Sequence, residues 1–185
     1  MNSIPQTRKA QLNDFDSIAS LILEASGCVF IDILQSDDLY KITALLKYFY
    51  DKEDNKFSYQ NFIVYEADGT ILACLNLYHS QKEIFYNNNM SKLLNDDYHI
   101  KYTFPIEATI NSYYIDTIGV AAKARHQGIA TKMISEVISQ DNQNVSLIAD
   151  SDKPQVVKLY QKIGFEIIHK EEMFGRIFYT MLYRK

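Results

Sequence analysis

One window of the sequence concentrates the groups that could do chemistry. Between Asp116 and Glu136 there is no acidic residue, and Lys123, Arg125, His126 and Lys132 all lie inside that stretch. The pattern reads as a strand ending at Val120, a loop over 121–127 and a helix opening at Gly128. A helix N-terminus presents unpaired N–H groups and the positive end of its dipole, so it favours an anion. Gly128 and Ala130 are small, which lets a bulky anion approach the backbone. The expected chemistry is binding of a phosphate or pyrophosphate. The alternative is a basic, solvated loop ahead of an ordinary amphipathic helix. Neither GxxxxGK[ST] nor GxGxxG occurs, so the usual triphosphate and dinucleotide loops are not offered.

Other reactive residue types carry less. Cys28, in Ser26-Gly27-Cys28, could be a nucleophile, but nothing near it in sequence lowers its pKa, and a small buried thiol is the simpler reading. His79, His99, His126 and His169 show no ligand spacing with one another or with Cys28 and Cys74, so no metal site is expected. The aromatic pairs Tyr113-Tyr114 and Phe85-Tyr86 could line a pocket, although aromatics in strands are more often core.

The elements that must position this window follow from composition and periodicity. The chain has 185 residues, 47% hydrophobic and 23% charged, with 14 Tyr, 10 Phe and no Trp. That is enough apolar surface for a real core and the length of one domain. The net charge of −4 argues against nonspecific nucleic-acid binding. With two cysteines, no cationic leader with an apolar stretch and no run approaching a membrane span, a cytoplasmic protein with no membrane partner is expected.

Along the chain, 3–9 reads as a strand. Asp14 caps a helix carrying Ile18, Leu21, Ile22 and Ala25 and ending at Gly27. Ser36 or Asp37 caps a second helix, and 52–56 is a charged loop. Strands at 62–65 and 70–78 flank the hairpin turn Asp68-Gly69. The stretch 79–107 is read as an irregular insertion within a single domain over 1–185, with a short helix around Met90 and Leu94. A strand over 112–120, a helix over 128–138, a strand over 145–149, a helix over 153–162 and strands over 166–173 and 177–183 complete it, with Phe174-Gly175 at the last turn. Interleaved strands and helices imply an α/β chain with one mixed (α+β-type) sheet.

Within this order, Val120-Ala121-Ala122-Lys123-Ala124-Arg125-His126-Gln127-Gly128-Ile129-Ala130 resembles motif A of the GNAT acetyltransferases, Arg/Gln-x-x-Gly-x-Gly/Ala. Leu159-Tyr160-Gln161-Lys162-Ile163-Gly164-Phe165 resembles their motif B, LYxxxGF, and Phe57-Ser58-Tyr59 adds a weaker likeness. The resemblance implies the GNAT acyl-CoA N-acyltransferase fold, with about seven strands and about four helices. It implies acetyl-CoA as co-substrate, with no metal, and direct transfer of acetyl to a primary amine of a small molecule or protein. It places the pyrophosphate on Arg125, His126, Gln127, Gly128, Ile129, Ala130 and Thr131. It places the pantetheine arm along the backbone of Ile118, Gly119 and Val120, in a cleft between splayed strands, with the Val120 N–H as oxyanion donor. Tyr160 corresponds to the tyrosine that protonates the departing thiolate, and is counted among the cofactor contacts; a core tyrosine closing the last helical turns is the alternative role. Many members carry Asn seven residues before that Tyr, where this chain has Lys153.

Acyl transfer also needs a base. Asp116 is the first candidate, because strand alternation puts it on the face of Tyr114 and Ile118, and partial desolvation raises a carboxyl. An ion pair, or a hydrogen bond to Thr117, is the alternative role. Glu107 and His79 are further candidates, as is a water chain. The acceptor is expected to meet the helical region 24–50 and the insertion. A homodimer through the C-terminal strands is compatible, and a non-catalytic CoA-binding sensor is the rival reading.

Overall fold

The structure is a computed structural model that describes residues 5–140, 143–173 and 175–185. Residues 3 and 4 of the first expected strand, and Phe174 of the last expected turn, lie outside the described residues.

Seven strands form one sheet in the order β1-β2-β3-β4-β5-β7-β6. They are β1 (Gln6–Lys9), β2 (Phe62–Ala67), β3 (Thr70–His79), β4 (Ser112–Val120), β5 (Asn144–Asp150), β6 (Glu166–Met173) and β7 (Arg176–Tyr183). All neighbours run antiparallel except β4 and β5. The β2–β3 hairpin turns at Asp68-Gly69, both at positive φ (49° and 69°), as a tight hairpin turn requires.

Five α-helices cover the faces: α1 (Phe15–Leu34), α2 (Leu39–Tyr50), α3 (Glu83–Tyr98), α4 (Ile129–Gln140) and α5 (Pro154–Ile163). On one face, Ile18, Ile22 and Phe30 of α1 and Leu45, Leu46 and Phe49 of α2 share a core with Phe62, Val64 and Cys74. On the other, Met133, Ile134 and Val137 of α4 and Val157 of α5 share one with Leu75, Ile115 and Leu147.

Three expectations change. The first helix does not stop at Gly27, because Val29, Phe30 and Ile33 continue its buried stripe to a left-handed cap at Gln35 (φ 47°). With the preceding turn, Leu12–Leu34 forms 23 residues long and apolar enough to cross a membrane by length and composition, contrary to the sequence reading. Here its apolar face lies on the sheet, with Ile18, Ile22 and Phe30 fully buried. Second, Asp38, not Ser36 or Asp37, caps α2, accepting from the Tyr40 and Lys41 N–H groups at 3.0 and 3.3 Å. Third, most of 79–107 is regular. α3 hides a weak apolar stripe, Tyr86, Met90 and Leu94, among asparagines that blur the helical period.

Candidate functional site

β4 pairs with β5 only from Ser112↔Asn144 to Ile115↔Leu147, although β4 continues to Val120 and β5 to Asp150. β5 keeps its pairing with β7 as far as Asp150↔Phe178, so the sheet opens between β4 and β5. A β-bulge marks the point of departure. Asn76 faces Thr117 and Leu77 faces Ile115, which leaves Asp116 as the extra residue. The bulge breaks the alternation that the sequence reading assumed. Asp116 shares a side with Tyr114 and meets Tyr78, whereas Ile118 packs in the α4 core.

Backbone alternation then sorts the rest of the edge. The Ala121 N–H donates to the Leu72 carbonyl of β3 at 2.8 Å. Gly119 therefore turns its N–H and C=O toward β3 as well, and Ile118 and Val120 turn theirs to the open edge. Two of the three residues expected to meet a ligand therefore have backbone groups on the open edge, although the Val120 carbonyl there accepts from Arg125 Nε at 3.0 Å. Gly119 serves helix packing instead, since a Cβ there would lie 2.6 Å from the Leu21 carbonyl oxygen and 2.8 Å from its Cβ. Only glycine lets α1 lie this close to β4.

Past Val120 the chain makes a short 3-10 turn, Ala122–Ala124, and enters α4 through His126 (φ 62°) and Gly128 (φ 78°). Space over Gly128 is open, with nothing within 4 Å of a Cβ built there. The first helical hydrogen bond runs from the Lys132 N–H to the Gly128 carbonyl at 2.9 Å, so the amides of Ile129, Ala130 and Thr131 precede it. Ile129 buries its side chain in the core and can offer only its amide. Lys123, His126 and Gln127 are exposed, and Gln127 is tied back to the Lys123 carbonyl at 3.2 Å. Arg125 is less free than its sequence suggests. Its Nε donates to the Val120 carbonyl at 3.0 Å, and its guanidinium pairs with Glu24 of α1 at 2.5 Å. The window lacks acids in sequence, but one arrives in space.

The second half of the site is a buried cluster. The Lys56 Nζ lies 3.3 Å from Glu107 Oε1 and 3.6 Å from Asp116 Oδ2, with the three side chains only 3%, 8% and 5% exposed. Thr117 donates to Asp116 Oδ1 at 3.0 Å, the Tyr78 hydroxyl to Oδ2 at 3.4 Å, and the Tyr114 hydroxyl to Glu107 Oε2 at 2.8 Å. Glu83, opening α3, accepts from the Glu107 and Ala108 N–H groups at 2.8 and 3.2 Å and so pins the segment carrying Glu107. Burial pushes Asp116 above the ordinary aspartate range. Lys56 pulls it down, and Glu107 pushes it up again. Burial pulls the Lys56 ammonium down, but Glu107, Asp116 and Glu83 outweigh that and hold it above the usual lysine range. Burial also raises Glu83. Asp116 thus plays the part of an ion pair and of a Thr117 acceptor together, on a group whose raised pKa suits a base.

The remaining candidates separate cleanly. Tyr160 is buried beside Phe165, ring centroids 5.9 Å apart, and burial alone pushes its hydroxyl up to about 12. Its carbonyl accepts from the Gly164 and Phe165 N–H groups at 3.2 and 3.0 Å, closing α5 with Gly164 at φ 114°. That cap is the physical content of LYxxxGF. Lys153 is exposed at the N-cap of α5 and makes no side-chain cap there. His79 sits at the opposite end of β4, paired with Tyr113 and bonded to Gln143 Oε1 at 2.9 Å. Cys28 is half-buried and burial pushes its thiol up, the reverse of activation.

The sequence profile of the Acetyltransferase (GNAT) family matches residues 29–165. The chain belongs to the GNAT acetyltransferase family. Its fold resembles that of an N-acetyltransferase from Staphylococcus aureus Mu50, at 22% identity and a TM-score of 0.82, covering 96% of this chain and 99% of that one. It also resembles the structure described as histone acetyltransferase HPA2 and related acetyltransferase from Corynebacterium glutamicum, at 15% identity and a TM-score of 0.69, covering 98% and 97%. The NatC complex bound to Gag peptide and CoA contains a chain alike over 99% of both, at 12% identity and a TM-score of 0.57. No curated protein matches the sequence.

In this GNAT acetyltransferase the structure brings Asp116 and Glu107 together and leaves His79 apart. Two members of the cluster were not foreseen. Lys56 closes the run of charges over 52–56 that reads as a solvated loop, and Glu83 opens α3 seven residues ahead of Met90, where the sequence places only a short helix. The available signal was the neighbour of Lys56: Phe57 is 1% exposed, and a chain that buries it carries Lys56 inward too.

Proposed function

We propose that this GNAT acetyltransferase moves an acetyl group from acetyl-CoA directly onto a primary amine. The observation that carries the reading is the open β4 edge, which runs from the buried carboxylate Asp116 to the anion-favouring start of α4 within one strand and one loop. A ligand with amides and a pyrophosphate suits such an edge. Its amides pair with Ile118 and with the Val120 carbonyl, and its phosphates lie on the amides of Gly128 through Thr131, helped by Lys123 and His126. Acetyl-CoA has those groups and supplies the thioester.

The chain's own residues then have separate roles. Asp116 takes the proton that the acceptor nitrogen loses as the new C–N bond forms. The Val120 N–H, on the open edge, donates to the oxyanion. As the C–S bond breaks, the Tyr160 hydroxyl gives its proton to the thiolate. Burial raises that hydroxyl to about 12, so it is protonated at neutral pH and gives up its proton only to a thiolate whose basicity the same burial raises. An acceptor that arrives as an ammonium first releases one proton to solvent, so that the neutral amine attacks and Asp116 takes the second.

The test is a panel of amines, from amino acids and polyamines to peptides, incubated with acetyl-CoA. Thiol release matched by an acetylated product in the mass spectrum is the expected result. Tight CoA binding with no turnover on any amine would instead favour a non-catalytic CoA sensor.

A further inference from the structure

We propose that Lys56 is a positioning residue: its ammonium, wedged between Glu107 and Asp116, sets the charge of Asp116. The catalytic consequence rests on the reading of Asp116 as the base, but the assignment itself does not.

Lys56 is built in from its backbone outward. Its carbonyl accepts from Asn76 Nδ2 at 2.7 Å, and the preceding Asn55 side chain bonds the Phe49 carbonyl and the Phe57 N–H, each at 2.9 Å. The ammonium lies 5.5 and 5.4 Å from the ring centroids of Phe57 and Phe104, so apolar walls leave its carboxylate partners as its main counter-charge. Glu107 is fixed as firmly, through Glu83 on the backbone and the Tyr114 hydroxyl on the carboxylate. A buried ion pair adds little net stability, because desolvation offsets attraction. Its larger effect is on protonation. Without the ammonium, two carboxylates would face each other in a dry pocket, and one would take a proton.

Among the described residues, the groups that face this pair come from several segments. β3 supplies Tyr78, β4 supplies Tyr114 and the Thr117 hydroxyl, and α3 supplies Glu83. α1 supplies Ser26, bonded to Thr117 at 2.6 Å, and Cys28, within electrostatic reach of Glu107 and Arg176. Tyr102, on the segment before β4, also feels Glu107. Tyr78, Tyr114, Tyr102 and Cys28 are all pushed up by burial and stay neutral across the ordinary pH range, so among the described residues Lys56 is the cation at the pair and offsets one of its two charges.

The experiment is a carboxyl-carbon NMR titration of aspartate-labelled full-length protein, with the Asp116 signal assigned by its loss in Asp116→Asn. Lys56→Met removes the charge and Lys56→Arg keeps it. An ammonium favours the carboxylate, so its loss moves the Asp116 midpoint to higher pH, by about 1–3 units. Lys56→Arg restores most of that. Glu107→Gln, which removes the like charge, moves the midpoint the other way. A folded Lys56→Met with an unmoved midpoint overturns the assignment; should Lys56→Met be unfolded, Lys56→Gln, which also removes the charge, is read in the same way. The acid limb of kcat/KM on the same variants separates the two claims. A limb that follows the NMR midpoint supports both. A limb that stays while the midpoint moves upholds the control by Lys56 and overturns Asp116 as the base.

Discussion

The two halves of the site are built on opposite plans. The anion side, from Val120 to Thr131, is exposed and made of backbone: two left-handed residues, an open space over Gly128 and the amides that start α4. The carboxylate side is buried and made of side chains brought from four separate segments, at Lys56, Glu83, Glu107 and Asp116. A backbone site can be continuous in sequence because consecutive amides point one way at a helix start. A charged cluster needs groups on several sides, so that each buried charge meets a partner. The difference implies a division of labour: affinity for the donor on the loop, proton handling in the cluster.

The sharpest way to break that comparison is Asp116→Asn. General base catalysis contributes about 10²–10⁴-fold, so kcat should fall by that range. The sign of the pH dependence follows from the raised Asp116: the active carboxylate is lost as pH falls through its folded-state value. The acid limb should therefore lie above about pH 4, where an ordinary aspartate titrates. A limb at or below that value would mean that Asp116 is not the titrating group.

Tyr160→Phe comes next, with an expected loss of about 10²-fold in single-turnover rate. The pocket keeps the ring, so folding should survive. With the hydroxyl at about 12, the alkaline limb lies beyond the stable range, and the loss should be uniform with pH. A variant with the full single-turnover rate would make Tyr160 a packing and capping residue only.

On the exposed side, Gly128→Glu puts bulk and negative charge into the open space, at a φ that side chains rarely adopt. CoA affinity by calorimetry should drop more than about tenfold, a cost above roughly 1.4 kcal/mol. Unchanged affinity in a folded variant would remove the anion loop from the account. The smallest effect is expected at Glu24. Glu24→Gln frees the Arg125 guanidinium from its exposed ion pair. Exposed pairs contribute at most about 1 kcal/mol, so CoA binding should tighten by about two- to threefold. Weaker binding would show that Glu24 holds Arg125 in its productive place.

The same contrast explains what could be read from the sequence. The strand, loop and helix start of the anion side were legible because their parts are adjacent: the acid-free window, Gly128 and the switch from strand to helical period all fall between Asp116 and Glu136. The hairpin at Asp68-Gly69 and the α5 cap at Gly164 were legible for the same reason. The bulge at Asp116 was not, because it is a property of register with β3, and it moved Ile118 to the other face. Lys56 was not, because charge in a loop is normally solvated and only tertiary packing buries it. The role of Gly119 was hidden likewise: its reason is Leu21, almost a hundred residues earlier.

The division of labour is tested most directly by titrating CoA into Asp116→Asn in a calorimeter. The account predicts a Kd within about twofold of the unaltered protein, less than roughly 0.4 kcal/mol, in the same variant whose turnover has collapsed. A CoA affinity that falls together with the rate would contradict it, and would make the loop and the cluster a single binding unit.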